Sequence, residues 1–170
     1  MDVYEQRGVS SSKSEVHAAV ANLDRGLFPG AFCKIIPDIL ANDPAYCLIM
    51  HSDGAGTKAA LAYLAWREGV IKLEDAWEGI QWDSLVMNWD DMGCVGALGP
   101  FLINSTINRN KFLISGEVIA AIINGCQKAA DSFTAMGIPC TFAGGETADV
   151  GDLVRTITVD NTIVCRMKRH

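Results

Sequence analysis

Three short segments combine residue types able to handle a divalent cation and a phosphate chain. The first is His51-Ser52-Asp53-Gly54-Ala55-Gly56-Thr57-Lys58, which follows an apolar run and opens a stretch rich in Ala and Leu. Gly54 and Gly56 permit tight turns and close approach of a ligand to the backbone. A helix opening here offers unpaired N–H groups to an anion. Lys58 adds a point charge suited to phosphate, and Asp53 is able to hold a divalent cation. The spacing is not that of a P-loop, because GxxxxGK[ST] is absent. From spacing alone, an ordinary glycine-rich strand-to-helix turn fits as well.

The second segment runs from Asp83 through Ser84-Leu85-Val86-Met87-Asn88-Trp89 to Asp90-Asp91. On a helix, Asp83, Met87, Asp90 and Asp91 share one face. Carboxylates placed so repel each other unless they are solvated or a cation sits among them. Mg²⁺ favours one or two protein carboxylates plus phosphate oxygens. The plainer alternative makes Asp83 an N-cap and Asp90-Asp91 a solvated face, although Trp82, Trp89 and Met92 argue against full exposure. The third segment, Gly144-Gly145-Glu146-Thr147-Ala148-Asp149, presents Glu146 at the end of a short strand, a favoured position for site residues in α/β sheets. A tight turn with an incidental glutamate is the alternative. No triad-like nucleophile arrangement is present, and His17 and His51 read as structural.

The elements that must position these segments follow from apolar pattern and punctuation. Tyr46–His51 is a continuous apolar run of the kind found in buried strands. Thr57–Trp66 reads as a helix, and Ser84–Leu98 as another capped by Asp83. Phe101–Ile107 reads as a strand. Gly116–Met136 carries Val118, Ile119, Ile122, Ile123, Cys126, Ala129, Ala130 and Phe133 at helical spacing, with Ser115 to cap it and Gly137 and Pro139 to end it. Cys140–Ala143 is a third strand, and Val154–Met167 holds a long strand with a possible break near Asp160-Asn161. Residues 1–14, with Ser10, Ser11, Ser12 and Ser14, read as a flexible N-terminal arm, and residues 15–170 as one nucleotide-binding domain.

This pattern is α/β (α+β in the looser sense): a mixed sheet covered on one face by helices. The other face is then expected to be apolar and to meet a second subunit. The 170 residues are 49% hydrophobic with a formal net charge of −6. That is enough apolar material for one core, and no basic stripe points to nucleic acid. No apolar run approaches the length of a membrane span, and no signal-peptide core opens the chain. The six cysteines form no CxxC pair and read as reduced thiols of a cytoplasmic protein.

Taken together and in order, these segments resemble the aminoimidazole-ribonucleotide synthetase (phosphoribosylformylglycinamidine cyclo-ligase) family. Asp53–Lys58 is similar to its Asp-Gly-Val-Gly-Thr-Lys. Gly144–Asp149 is similar to its Gly-Gly-Glu-Thr-Ala-Glu, and Asp83–Asp91 to its Asp-Leu-Val-Ala-Met…Asn-Asp helix. Tyr4…Gly8-Val9 is similar to its opening. The resemblance implies N-terminal domains whose sheets pair into a barrel across a homodimer. It implies ATP and Mg²⁺ as cofactors and a phosphorylated ribonucleotide as substrate. ATP phosphorylates the formyl oxygen of formylglycinamidine ribonucleotide, the amidine nitrogen attacks, and the imidazole ring closes as phosphate leaves.

By matched position, Asp53, Asp83, Asp91 and Glu146 would hold the metal. Gly54, Gly56, Thr57, Lys58 and Thr147 would contact the nucleotide, and Asp53, Lys58 and Glu146 would act in catalysis. Departures fall at Asp90 (Asn in the family), Ser10 (Asp), Asp149-Val150-Gly151 (Glu-Met-Pro-Gly) and Leu27–Phe32, where the family is richer in glycine. They bear on substrate identity more than on the nucleotide site. Family enzymes carry a second domain of similar size. The chain is therefore expected to be the N-terminal half of a longer protein or a stand-alone domain, in either case with little or no cyclo-ligase turnover alone. Other phosphotransferases of the superfamily, or a non-catalytic dimerisation or ligand-sensing domain, are the competing expectations.

Overall fold

In the computed structural model, residues 3–10 and 12–169 are described. Ser11, part of the expected arm, lies outside them. The arm holds a 3-10 turn at Glu5–Arg7 and leads into a short helix, α1 (Ser14–Val20), that buries none of its residues.

Five strands form one sheet: β1 (Ile35–Pro37), β2 (Tyr46–Gly54), β3 (Phe101–Arg109), β4 (Cys140–Asp149) and β5 (Ile157–Lys168), in the order β1-β2-β5-β3-β4. β5 lies antiparallel to both β2 and β3, while β3 and β4 run parallel. The sheet is therefore mixed, as the sequence pattern suggests. β5 runs unbroken through Asp160-Asn161. Val159, Asn161, Ile163 and Cys165 are buried on one face while Asp160 alternates outward, the period-2 signature of a strand with one covered face.

Helices α2 (Lys58–Arg67), α3 (Leu73–Gly93) and α4 (Gly116–Ala135) cover that face. α3 begins well before Ser84, so Asp83 is a mid-helix residue and not a cap. Its first turn carries Glu74 and Asp75, which suits the positive helix N-terminus. α3 and α4 pack closely at Gly125, where a Cβ would stand 2.9 Å from the Cα of Glu78.

The core splits into two apolar clusters. Ile49, Leu85, Trp89, Met92, Ile103 and Ile163 belong to one. Trp77, Ile80, Ile107, Val118, Ile122 and Val159 belong to the other. Between them lies a polar layer: Ser105, Asn161, Gln81, Ser84 and Asn88 are each at most 3% exposed.

The opposite face of the sheet is open but only half apolar. Met50 and Leu102 are 69% and 53% exposed there, beside Val164 and Ala143. By register, the rows beyond them carry Ser52, Thr162 and Asn104, then Gly54, Asp160, Thr106 and Glu146.

Candidate functional site

β2 runs three residues past the expected His51 end, so Asp53 and Gly54 are strand residues. Gly54 pairs with Asp160, whose carboxylate occupies the space a Cβ would need. The turn follows at Ala55-Gly56, with Gly56 at a left-handed φ of 55°, and the N–H of Ala55 donates to the carbonyl of Val159. α2 opens at Lys58 behind Thr57, whose side chain makes no cap bond. The N–H of Lys58 donates to the Ala55 carbonyl at 3.2 Å and that of Ala60 to the Thr57 carbonyl at 3.1 Å, so the chain turns tightly into α2 directly after Asp53-Gly54.

His51 and Asp53 alternate onto the helix-covered side of β2, where α3 presents Asp91. His51 Nε2 lies 2.8 Å from Asp91 Oδ2, both side chains being about a quarter exposed or less. One ligand atom each from His51, Asp53 and Asp91 lies within 4.8 Å of the others. Asp53 Oδ1 accepts the N–H of Gly54 at 2.7 Å. Of the acidic pair on α3, Asp90 is exposed and Asp91 is turned inward. Asp83 does not join the group. It accepts a hydrogen bond from Lys58 Nζ at 3.2 Å, an ion pair between half-exposed side chains that ties the start of α2 to α3.

The buried polar layer ends on this site. Asn88 Nδ2 and Ser84 Oγ both donate to the backbone carbonyl of Asp53, at 3.1 and 3.3 Å. Asn161 Nδ2 donates to Ser84 Oγ at 2.7 Å, and Gln81 Nε2 to Asn161 Oδ1 at 2.9 Å. Register places Asp53, Asn161 and Ser105 in one row across the sheet. Buried polar groups are retained when hydrogen-bonded, and a connected network fixes one arrangement of its members. Here the arrangement fixed is the strand end that carries Asp53. Asn88 Oδ1, wholly buried, has no hydrogen-bond partner among the described residues.

Glu146 and Thr147 stand apart from this group. A bulge in β4 falls between the Ile103 and Ser105 pairings, with Gly144 at a φ of 104°. The extra residue shifts the alternation, so Glu146 pairs with Thr106 on the open face while Thr147 pairs with Ile107 on the covered one. Three strand spacings separate Glu146 from Gly54, about 14 Å, and Glu146 lies on the opposite side of the sheet from Asp53. The four carboxylates read from the sequence thus do not gather. Asp53 and Asp91 meet, Asp83 is held by Lys58, and Glu146 is remote. The expected loop at 144–149 is itself strand, joined to β3 by the Arg109–Asp149 ion pair at 2.7 Å.

Sequence reasoning read His51 as structural and gave no role to Asn88, Ser84, Asn161 and Gln81. The signal available was polar residues on the inward stripe of α3 and β5, where apolar ones would extend the core.

Residues 33–167 match the family described as AIR synthase related protein, N-terminal domain. The phosphoribosylformylglycinamidine cyclo-ligase of Symbiobacterium thermophilum is 28% identical over 122 residues, which are 71% of this chain and 30% of that protein. Its namesake from Alkaliphilus metalliredigens is 28% identical over 159 residues, covering 86% of this chain and 40% of that protein. Phosphoribosylformylglycinamidine synthase II from Thermotoga maritima superposes with a TM-score of 0.48 at 17% identity, covering 85% of this chain and 21% of that one. The chain spans well under half the length of these relatives.

Proposed function

The chain belongs to the AIR synthase related protein family through its N-terminal domain, and from that premise we propose that it is the ATP- and Mg²⁺-binding part of a phosphoribosylformylglycinamidine cyclo-ligase of purine biosynthesis. The observation that carries this reading is the convergence of Asp53 and Asp91 beside the N-terminus of α2. The residues present fit the two ligands. The donor set suits a hard cation: ligand atoms of Asp53 and Asp91 lie within 4.8 Å of each other. A glycine turn opening a helix suits a polyphosphate.

Bound ATP supplies the phosphoryl group, and the metal offsets its charge. The protein's own share is positioning and charge neutralisation. Asp53 and Asp91 are the proposed metal ligands. The open turn at Gly56 and Thr57 would let phosphate oxygens approach the backbone, and Lys58, held by Asp83, would supply the fixed positive charge. The chain alone is expected to show little cyclo-ligase turnover.

Calorimetry with ATP and Mg²⁺ tests the reading. Binding that Asp53→Ala abolishes supports it. An isotherm without heat, unchanged by Asp53→Ala, would leave a dimerisation or sensing domain as the better account. If nucleotide binds, hydrolysis assays across a panel of acceptors separate the cyclo-ligase from other phosphotransferases of this superfamily.

A further inference from the structure

We propose that the groove between the Leu27–Phe32 loop and the end of α3 binds an amphipathic carboxylate, its hydrocarbon chain along the groove and its head on Arg169.

The groove encloses about 900 Å³, within the range of about 300–1,000 Å³ typical of small-molecule sites. Its floor is the start of β2 and the end of β5, where Cys47 pairs with Met167. Cys94, Val95 and Gly96, just past the end of α3, form one wall, and the Leu27–Phe32 loop forms the other. That loop is pinned. The Leu27 N–H donates to the Ile35 carbonyl at 2.8 Å and the Ala31 N–H to the Phe28 carbonyl at 2.9 Å. Cys33 Sγ donates to the Asp91 carbonyl at 3.3 Å. The walls are thus preformed, which limits the ordering cost of binding.

The lining is apolar over most of its length. Leu27, Ile35, Val95 and Met167 contribute to it, and Phe28 and Phe32 remain exposed beside it. Covering such surface with a hydrocarbon chain is favourable, but apolar area alone selects no partner. The charges do. Among the described residues that line the groove, Lys168 and Arg169 are charged and none is acidic, in a chain with 20 Asp and Glu against 14 Lys and Arg. Neither cation forms an ion pair among the described residues. Asp38 and Asp43, which share a neighbouring cleft with Arg169, are held by Arg166 at 2.7 and 3.4 Å. Arg169 also stands near the floor: burial raises the Cys47 thiol above its ordinary value, and the charge of Arg169 opposes that rise. A free guanidinium at the end of an apolar groove is complementary to a carboxylate, which it can take through two parallel N–H bonds.

This site is distinct from the Asp53–Asp91 pair. Lys168 pairs with Tyr46, seven residues before Asp53 on β2, so the cationic end lies about 23 Å from Asp53 along the strand. The other rim, at Phe32, approaches His51 with 6.5 Å between ring centroids. Cys47 and Met167 alternate with the buried Ile49 and Cys165 onto the helix-covered side, away from the open face where a second copy would pair.

The groove carries its own reporter. Cys94 lines it and is exposed, while Cys33, Cys47, Cys126 and Cys165 are buried. The test is calorimetry with decanoate below its micellar range, with 1-decanol as the neutral chain of equal length and iodoacetamide labelling of Cys94 read by peptide mass. Decanoate should bind and slow Cys94 labelling. Decanol should bind at least about tenfold more weakly, the low end of what hydrogen bonds to a charged group contribute. Arg169→Gln should bring decanoate to the level of decanol, and Arg169→Lys should restore part of the difference. Phe28→Glu, which puts an acid against the chain, should abolish both. Thermal melts establish that each variant is folded. Equal affinity for acid and alcohol, or no effect of Arg169→Gln, overturns the inference. So does decanoate binding that leaves Cys94 labelling unchanged, or no binding by the folded parent. A dimer that Phe28→Glu dissociates would make the groove a contact between copies and overturn it as well. None of these readouts involves Mg²⁺ or ATP, so failure here leaves the cyclo-ligase reading untouched.

Discussion

Asp53 is held twice over, through its carboxylate and through its backbone. The Gly54 N–H fixes one carboxylate oxygen, and Ser84 and Asn88 fix the carbonyl. Replacing Asn88 by Ala leaves Ser84 Oγ as that carbonyl's one side-chain donor among the described residues and removes a side-chain bond to the Ser84 carbonyl. Loss of buried hydrogen bonds of this type costs about 1–3 kcal/mol. Asn88→Ala should therefore lower stability by that amount in urea unfolding and weaken cation binding, although Asn88 is no assigned ligand. Unchanged cation affinity in a measurably destabilised variant would reduce the network to a packing role.

The same scale holds a pH prediction. Burial, with the charge of Asp53 adding to it against a hydrogen bond from Thr158, pushes the Asp160 carboxyl above its ordinary value. A folded state that holds a proton the unfolded chain releases loses stability as pH rises through that window. Asp160→Asn should thus be more stable than the parent at neutral pH. The difference should shrink as pH falls toward the ordinary carboxylate value of 3.8, read from denaturation midpoints at each pH.

At the scale of elements, the close approach of α3 and α4 at Gly125 is a sharper constraint than helix propensity. Alanine favours a helix interior by about 1 kcal/mol over glycine, but its Cβ would meet backbone and side-chain atoms of Glu78 and Gln81 at 2.9–3.4 Å. Overpacking of this type costs about 1–3 kcal/mol. Gly125→Ala should lower the melting temperature, and a raised one would show that α4 shifts freely on α3.

Elements were legible where apolar period and punctuation agree. α4, with Ser115 before it and Gly137-Ile138-Pro139 after it, is the clearest case, and β2 and β3 begin where their apolar runs begin. α3 was half hidden, because Gln81, Ser84 and Asn88 put polar side chains on its buried stripe and erase the 3.6-residue signal before Leu85. β4 was truncated for the opposite reason. Its Gly-Gly-Glu-Thr-Ala-Asp half lies on an exposed edge, where nothing apolar marks a strand, and the bulge at Gly144 has no one-residue signature. The site was legible to the same extent. Asp53 lies just past the expected end of β2, and Asp91 lies in the half of α3 that the pattern marks, whereas the side of the sheet taken by Glu146 depends on that bulge.

For the whole molecule, one bare sheet face remains. No described helix is long and apolar enough to cross a membrane, and α2, α3 and α4 lie on the other side. Met50 and Leu102 stand more than half exposed near the middle of the open face, with Val164 and Ala143 between and beside them. Polar rows containing Ser52, Thr162, Asp160 and Glu146 adjoin this patch. Exposed apolar area flanked by polar residues is the composition of a subunit contact, and a symmetric pair of sheets is the simplest way for one chain to cover it. We therefore expect a dimer in sedimentation equilibrium that Met50→Glu together with Leu102→Glu converts to monomer. Both side chains point away from the core, so each monomer should keep its helical circular dichroism. The Asp53–Asp91 site lies on the helix-covered side, so cation binding should survive dissociation. A parent chain that sediments as a monomer would remove the paired-sheet arrangement. Loss of cation binding on dissociation would instead make the metal site a property of the pair.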